Sequence, residues 1–405
     1  MKRLNFRTTA CLSLVAFVTL RAPAIAQSAP RVYDVSVVRS SDSTTLSDVT
    51  RIAPLRNGNI VVNDAKRRRL LLLDSTLRLL KVIADTNTGS VNRYGIETGT
   101  GALVPYVGDS SLMLDGESRT LVVIGPDGKF IRSMAPVHQR DLMALAGGVN
   151  NAAATDKLGR LIIRGPTAPI GKDQRWSIAG GADTIVTPDS TPILREDLER
   201  RIVDTLAFVH VPKTTTILSR RGGRGRITNE INPLPVTDEW VMLPDGTVAV
   251  VRNHDYHIDW VSPNKKVVSS PKLPFDWKRV SDENRIAIVD STNRELLKQH
   301  GLDASAISFS VAVRPRELPE YFPPISPGQV HADQDGNIWI LPTTSLLAGR
   351  GLVYDVVNRQ GVLFKRVRLP EKRLLVGLGI GGAVYMRAVL RPGVVTLERG
   401  FVLGK

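Results

Sequence analysis

The sequence predicts an all-β fold, a six-bladed β-propeller with one helical insertion between blades 4 and 5. Two observations predict it. A strand–turn–strand unit recurs six times along the chain, and the last unit lacks one strand that the N-terminal segment can supply. Dividing the length by the usual domain size would give two or three domains, but a repeat architecture overrides that rule.

Residues 1–26 read as an export signal. Lys2, Arg3 and Arg7 precede an apolar run from Cys11 to Leu20, and Ala24-Ile25-Ala26 offers the small-x-small pattern that signal peptidase cuts. The propeller is therefore expected over 27–405, in the periplasm or secreted. The apolar run is too short to anchor the chain in a bilayer, and no later stretch reaches the roughly 20 apolar residues that spanning requires. Cys11 begins that run, whereas a lipobox cysteine follows one. It is the only cysteine, so the mature chain is expected to be held by a large core instead of disulfides.

Six tight turns mark the units. They lie in Arg56–Val62 (RNGNIVV), Gly108–Asp115, Asp156–Ile163, Pro244–Val251 (PDGTVAVV), Gln334–Leu341 and Gly381–Met386. Asp-Gly and Asn-Gly supply the positive φ angles of tight hairpins, and the β-formers that follow alternate as a strand does. Further hairpins, Leu70–Ile83, Leu121–Met134 and Asp259–Ser270, complete units of four strands. The last unit shows only three strands, so RVYDVSVV (Arg31–Val38) is expected to add the fourth and close the ring.

Two stretches break the period. An extended loop separates Arg164 from Pro188. Between blades 4 and 5, an insertion over about 278–328 carries apolar Ile286, Val289, Leu296 and Leu297 among Glu and Lys. This predicts a helix from Ser281 as N-cap to Gln299, followed by the proline-rich return Arg314–Gly328.

NDAKRRRLLLLDSTLRLLKVI resembles an NHL-type repeat, and the mature chain resembles the exported bacterial six-bladed β-propellers of the NHL/TolB-like group. DGTVAVVRNHDYHIDWVSPNKK and ELPEYFPP carry the most specific matches. The resemblance implies the fold. It implies little about function, because such propellers serve as binding platforms and also as lactonases, lyases and hydrolases.

Most motifs have plainer readings. Gly377-Leu378-Gly379-Ile380-Gly381-Gly382 fits G-x-G-x-x-G but is followed by a strand, AVYMRAV, where dinucleotide binding needs a helix. Asp333-Gln334-Asp335-Gly336-Asn337 lacks the glycine position and terminal Glu of a calcium loop. No cofactor is expected. His254, Asp255 and His257 are weak candidates for a metal or for proton transfer, since no third ligand is evident in the sequence. The run from Arg220 to Arg226 resembles an RGG segment without aromatic residues, and it reads as a mobile, solvated inter-blade loop. Nucleic acid is not an expected partner.

Charge gives the sharpest functional expectation. The net charge is +15, and the first 26 residues hold four of the positives and no acid, which leaves the mature chain near +11. In a propeller, the loops joining second to third strands and those between blades share one face. Arg67, Arg68, Arg119, Arg164, Arg175, Arg221, Arg252, Arg350 and Arg387 fall there. Guanidinium groups grip carboxylate, sulfate or phosphate with paired hydrogen bonds. The expected function is an exported binding module holding an acidic glycan, peptide or protein on this face. The alternative is a hydrolase or lyase with its site in the central funnel around His254, Asp255 and His257. The plainer reading of the same face is arginines that merely brace neighbouring backbone, above all Arg69, Arg119 and Arg175. A third possibility is a scaffold that docks other proteins through the helix at Ser281 to Gln299, which predicts an exposed apolar stripe there.

Overall fold

The computed structural model describes residues 30–42, 46–49, 51–86, 94, 103–115, 117–139, 141, 145, 153–165, 183–221, 224–300, 308–348, 351–391 and 394–404. The expected export signal, Arg175 and Arg350 lie outside these residues. The fold is mostly β and propeller-like. After β1 (Val32–Ser40), the first sheet holds β2 (Arg51–Pro54), β3 (Ile60–Asp64), β4 (Arg69–Leu73) and β5 (Leu79–Ala84). The second holds β6 (Leu103–Tyr106), β7 (Ser110–Asp115), β8 (Thr120–Ile124) and β9 (Phe130–Met134). In the third, β10 (Ala153–Thr155) and β11 (Leu161–Arg164) are separated by β12 (Asp183–Val186) from β13 (Ser190–Asp197) and β14 (Ile202–His210).

The hairpin β15 (Thr215–Arg221) and β16 (Arg224–Ile231) precedes the fourth sheet. That sheet comprises β17 (Glu239–Met242), β18 (Val248–Arg252), β19 (His257–Val261) and β20 (Val267–Ser269). Helix α1 (Asp282–His300) and β21 (Ser308–Ala312) lead to β22 (Ile325–Ala332), β23 (Ile338–Pro342), the short α2 (Thr343–Leu347), β24 (Val353–Val357) and β25 (Leu363–Arg368). The chain ends on β26 (Arg373–Leu378), β27 (Ala383–Arg391) and β28 (Val394–Val402).

Tight turns set this pattern. Each turn from first to second strand carries a left-handed glycine, from Gly58 (φ 84°) to Gly381 (φ 67°), a conformation that other residues adopt at a cost. Apolar residues then fill the gaps between consecutive sheets. Ile60, Leu71 and Leu73 of the first sheet also meet Tyr385, Val395 and Leu397 near the C-terminus, so the packing returns to its start. The innermost strands touch in the order β2, β6, β10, β17, β22, β26 and back to β2.

The N-terminal strand joins the C-terminal sheet. β1 pairs antiparallel with β28, Val35 opposite Val402 and Ser40 opposite Glu398. Its first residues also pair parallel with β25, Val32 opposite Arg366. The last two units thereby become one eight-stranded sheet. Gly400 permits the close approach, because a Cβ there would stand 2.3 Å from the Ser36 carbonyl oxygen.

Three separate departures from the repeat meet in one extra sheet, ordered β12-β15-β16-β21. β12 leaves a second-to-third connection, and β15–β16 and β21 leave connections between sheets. Neighbouring strands alternate in direction, so all three departures arise at the same end of the strands. β16 and β21 run parallel, with Ile227 opposite Ser308 and Ile231 opposite Ala312. At the base of the insertions the Thr187 and Thr214 hydroxyls stand 3.0 Å apart. Asn293 on α1 accepts a 2.8 Å hydrogen bond from the Ala312 amide and ties the helix to this sheet. The Ser281 hydroxyl accepts the Asn284 amide at 3.2 Å and caps the helix.

Candidate functional site

The face that carries these insertions also carries Arg67, Arg68, Arg119, Arg164, Arg252 and Arg387 of the predicted arginines. In the first two sheets, the second-to-third turn forces a non-glycine residue into the left-handed region, at Arg68 (φ 49°) and Arg119 (φ 55°). Arg67 and Arg119 are exposed and Arg68 is half-buried. Arg69, opening β4, donates instead to the buried Asp64 at 2.9 Å. Asp64 also accepts from the Ser47 hydroxyl (2.8 Å) and the Asp48 amide (3.0 Å), so it pins the connection into the first sheet. The bracing reading thus applies to Arg69, while Arg119 stands exposed one residue before β8.

Arg164 and Arg252 belong to a network of the protein's own carboxylates. Arg164, at the end of β11, donates to Glu239 at 3.2 Å and to the Asp238 carbonyl at 3.1 Å. Their side chains are 12 % and 3 % exposed. Burial holds the Glu239 carboxyl above its ordinary range, opposed by the Arg164 charge and by the Gly328 amide. Arg252 donates to Asp238 and to Asp259, both at 2.7 Å. Burial works against its charge, but these hydrogen bonds outweigh it and raise its pKa. Asp259 loses solvation too, yet the Ser269 hydroxyl and Arg252 hold its carboxyl low. The buried Asn253 links this network onward, donating to the Thr237 carbonyl and, at 2.9 Å, to the Ile325 carbonyl of the next sheet.

The histidine pair is arranged for structure. His257 Nδ1 lies 2.7 Å from Asp255 and Nε2 lies 3.2 Å from Asp259. The two carboxylates therefore sit on opposite sides of the ring and cannot converge on one ion. Both ring nitrogens thus face the protein's own carboxylate oxygens. His254 is exposed. Among the described residues, no three His, Cys, Asp or Glu side chains are grouped to hold a metal ion.

Arg387 pairs with Asp48 at 3.1 Å. The Arg220–Arg226 run is a correction to the sequence reading. Its described residues are strand instead of loop, with Arg220 opposite Gly225 and Arg221 opposite Arg224 in the β15–β16 hairpin of the extra sheet. The Arg221 side chain lies outside the described residues. From the sequence alone, none of Asp48, Asp238, Glu239 and Asp259 is placed on this face. Glu239 and Asp259 read as ordinary strand residues, and only their nonlocal partners mark them.

Sequence reasoning also missed Arg51 and His331 on the innermost strands β2 and β22. Burial, and then the neighbouring Arg51 charge, push the His331 pKa down to about 4. Its ring meets Tyr354 edge-on at 6.3 Å.

The glycine-rich string is the β26–β27 hairpin. A Cβ at Gly377 would strike Ile52 at 2.8 Å and one at Gly379 would strike Tyr385 at 2.7 Å, so these two glycines serve close packing. With Asp333, Asp335, Lys365 and Trp339, the hairpin walls a cleft of about 210 Å³. That cleft opens at the opposite end of the strands from the arginines.

No family model matches this chain, and no curated protein matches it. Solved structures do align. A gluconolactonase from Xanthomonas campestris shows 10 % identity and a TM-score of 0.40 over 92 % of this chain and 98 % of its own. A virginiamycin B lyase from Staphylococcus aureus shows 7 % identity and a TM-score of 0.40 over 91 % and 99 %. A member of the DUF4221 family from Bacteroides vulgatus shows 9 % identity and a TM-score of 0.47 over 92 % and 98 %. No activity follows from likeness at this level.

Proposed function

We propose that this chain is an exported six-bladed β-propeller of the NHL/TolB-like kind that acts as a binding module for an anionic group. The blade count rests on the ring of contacts through β2, β6, β10, β17, β22 and β26. The anion-binding surface is narrower than the full set of arginines. Arg164, Arg252 and Arg387 are engaged by Glu239, Asp238, Asp259 and Asp48, so they brace the face. The binding surface is the pair of second-to-third turns in blades 1 and 2, which present Arg67, Arg68 and Arg119.

The observation that carries this reading is the contrast in exposure. Arg67 and Arg119 stand in solvent on left-handed turns, whereas Arg164 is nearly covered. Exposed guanidinium groups bind polyanions by pairing and remain sensitive to salt, because the Debye length is only ~10 Å at 0.1 M. The test is binding of polyphosphate and of polygalacturonate by calorimetry at low and high salt. Salt-sensitive binding, weakened about tenfold, or ~1.4 kcal/mol, by Arg67→Ala with Arg119→Ala, is expected. Binding that survives both substitutions would overturn the assignment.

A further inference from the structure

A line of aromatic rings runs outward from the fourth sheet to the surface. Tyr256 is buried in the second-to-third turn of that sheet. Its ring meets Phe275 edge-on at 5.6 Å, Phe275 meets Trp277 at 5.2 Å, and Trp277 meets Tyr321 at 6.3 Å. Trp277 and Tyr321 are 43 % and 41 % exposed, while Trp240, Trp260 and Trp339 are buried. Single exposed apolar residues are ordinary, but two aromatic rings in contact and both open to solvent form a contiguous patch.

The platform is held rigidly. Arg279 and Tyr321 form an isolated antiparallel bridge, with the Val280 amide donating to the Glu320 carbonyl at 2.8 Å and the Phe322 amide to the Lys278 carbonyl at 2.9 Å. Side chains alternate along extended chain, so Trp277, Arg279 and Tyr321 share one side of the bridge. The Arg279 guanidinium lies 3.3 Å from the Glu320 carboxylate, and both side chains are largely exposed.

We infer that the Trp277–Tyr321 surface is a binding platform for an uncharged saccharide. Charge selects this occupant. Lys278 and Arg279 are answered by Asp276 and Glu320 along the same two segments, so the patch is locally balanced. A polyanion or an anionic membrane needs an excess of cations, which this patch does not supply. A sugar ring instead offers a C–H face that lies against an aromatic ring. Its hydroxyls both donate and accept, which matches a guanidinium and a carboxylate set side by side. The rings are also more than half covered. The Trp277 and Tyr321 ring planes stand 88° apart, so a sugar would lie on the face of one ring and meet the edge of the other.

The test uses the full mature chain and a panel of neutral hexasaccharides: cello-, xylo-, manno-, malto- and chitohexaose. Titration by calorimetry and by tryptophan fluorescence is expected to find at least one that binds. Binding should hold between about 0.05 and about 0.5 M salt, since the ligand carries no charge. Trp277→Ala and Tyr321→Ala should each weaken it about tenfold, or ~1.4 kcal/mol. Trp277→Phe should retain most of it, with an unchanged melting temperature showing that the chain is folded. Arg67→Ala with Arg119→Ala should leave it untouched, which separates this site from the polyanion surface. Absence of binding across the panel overturns the inference. So does binding that Trp277→Ala leaves intact, or a loss in that variant confined to phospholipid vesicles or to proline-rich peptides.

Discussion

Replacing Arg164 by alanine separates a bracing arginine from a ligand-binding one. The variant leaves Glu239 buried at 3 % side-chain exposure, with the Gly328 amide as its remaining favourable contact of those that set its pKa. Breaking a buried ion pair by removing one partner costs about 3–5 kcal/mol. The carboxyl has an escape, because it can take up a proton. Protonating a group of unfolded pKa ~4.3 at pH 7 costs roughly 3.7 kcal/mol at 1.36 per pH unit, and this caps the loss. A destabilisation of about 3 kcal/mol at pH 7 is expected. In the variant the folded state holds a proton that the unfolded state has released, so stability must fall as pH rises above ~4.3. At pH 5.5 the cap drops to roughly 1.6 kcal/mol, and the loss should shrink with it. Urea denaturation of the mature chain at the two pH values measures both effects. Arg164→Ala with Glu239→Gln should recover much of the stability, since a neutral amide can still accept the Gly328 N–H. A loss below ~0.5 kcal/mol at pH 7, or one equal at both pH values, would refute the buried-pair argument.

Acid should weaken the fold through His331. Its folded pKa of about 4 lies below the unfolded value, so stability falls as pH drops from ~6.5 toward 4. The total is at most about 3 kcal/mol, and His331→Leu should flatten that part of the pH–stability curve. Arg67→Ala and Arg119→Ala should each change unfolding free energy by less than ~0.5 kcal/mol, because both are exposed turn residues. A large effect in either would make it a brace. Gly400→Ala forces a methyl group against the Ser36 carbonyl and should cost about 1–3 kcal/mol. Faster hydrogen exchange in β1 and β28 than in the first sheet would locate the damage at the closing seam, and uniform exchange would argue against it.

Local chemistry made the repeating part of this fold readable. A left-handed glycine in a turn of two or three residues is dictated by its own sequence, and each of the six turns read from the sequence carries one. The missing strand was legible for a related reason. Three strands at the C-terminus leave an unpaired edge, and the alternating segment Val32–Ser40 has no sheet of its own to join. Its parallel contact with β25 was not legible, because nothing local distinguishes the residues that pair on that second edge.

The extra sheet shows where such reading stops. β16 and β21 pair across the whole fourth sheet and helix α1, and β12 comes from within the third sheet. β12 and β21 have no neighbouring strand in sequence with which they pair, and the β15–β16 hairpin alone makes only half of a sheet, so local sequence does not mark this sheet. The same nonlocality misdirected the charge reading. Counting arginines by loop placed Arg67 and Arg164 on one face as equals. Glu239, however, reaches that face from the start of an inner strand, and its carboxylate turns Arg164 into part of the wall. Exposure, not composition, separates the two sets: the turns at Arg67 and Arg119 belong to the solvent side of the face, and the Arg164–Glu239–Asp238–Arg252 network belongs to its foundation.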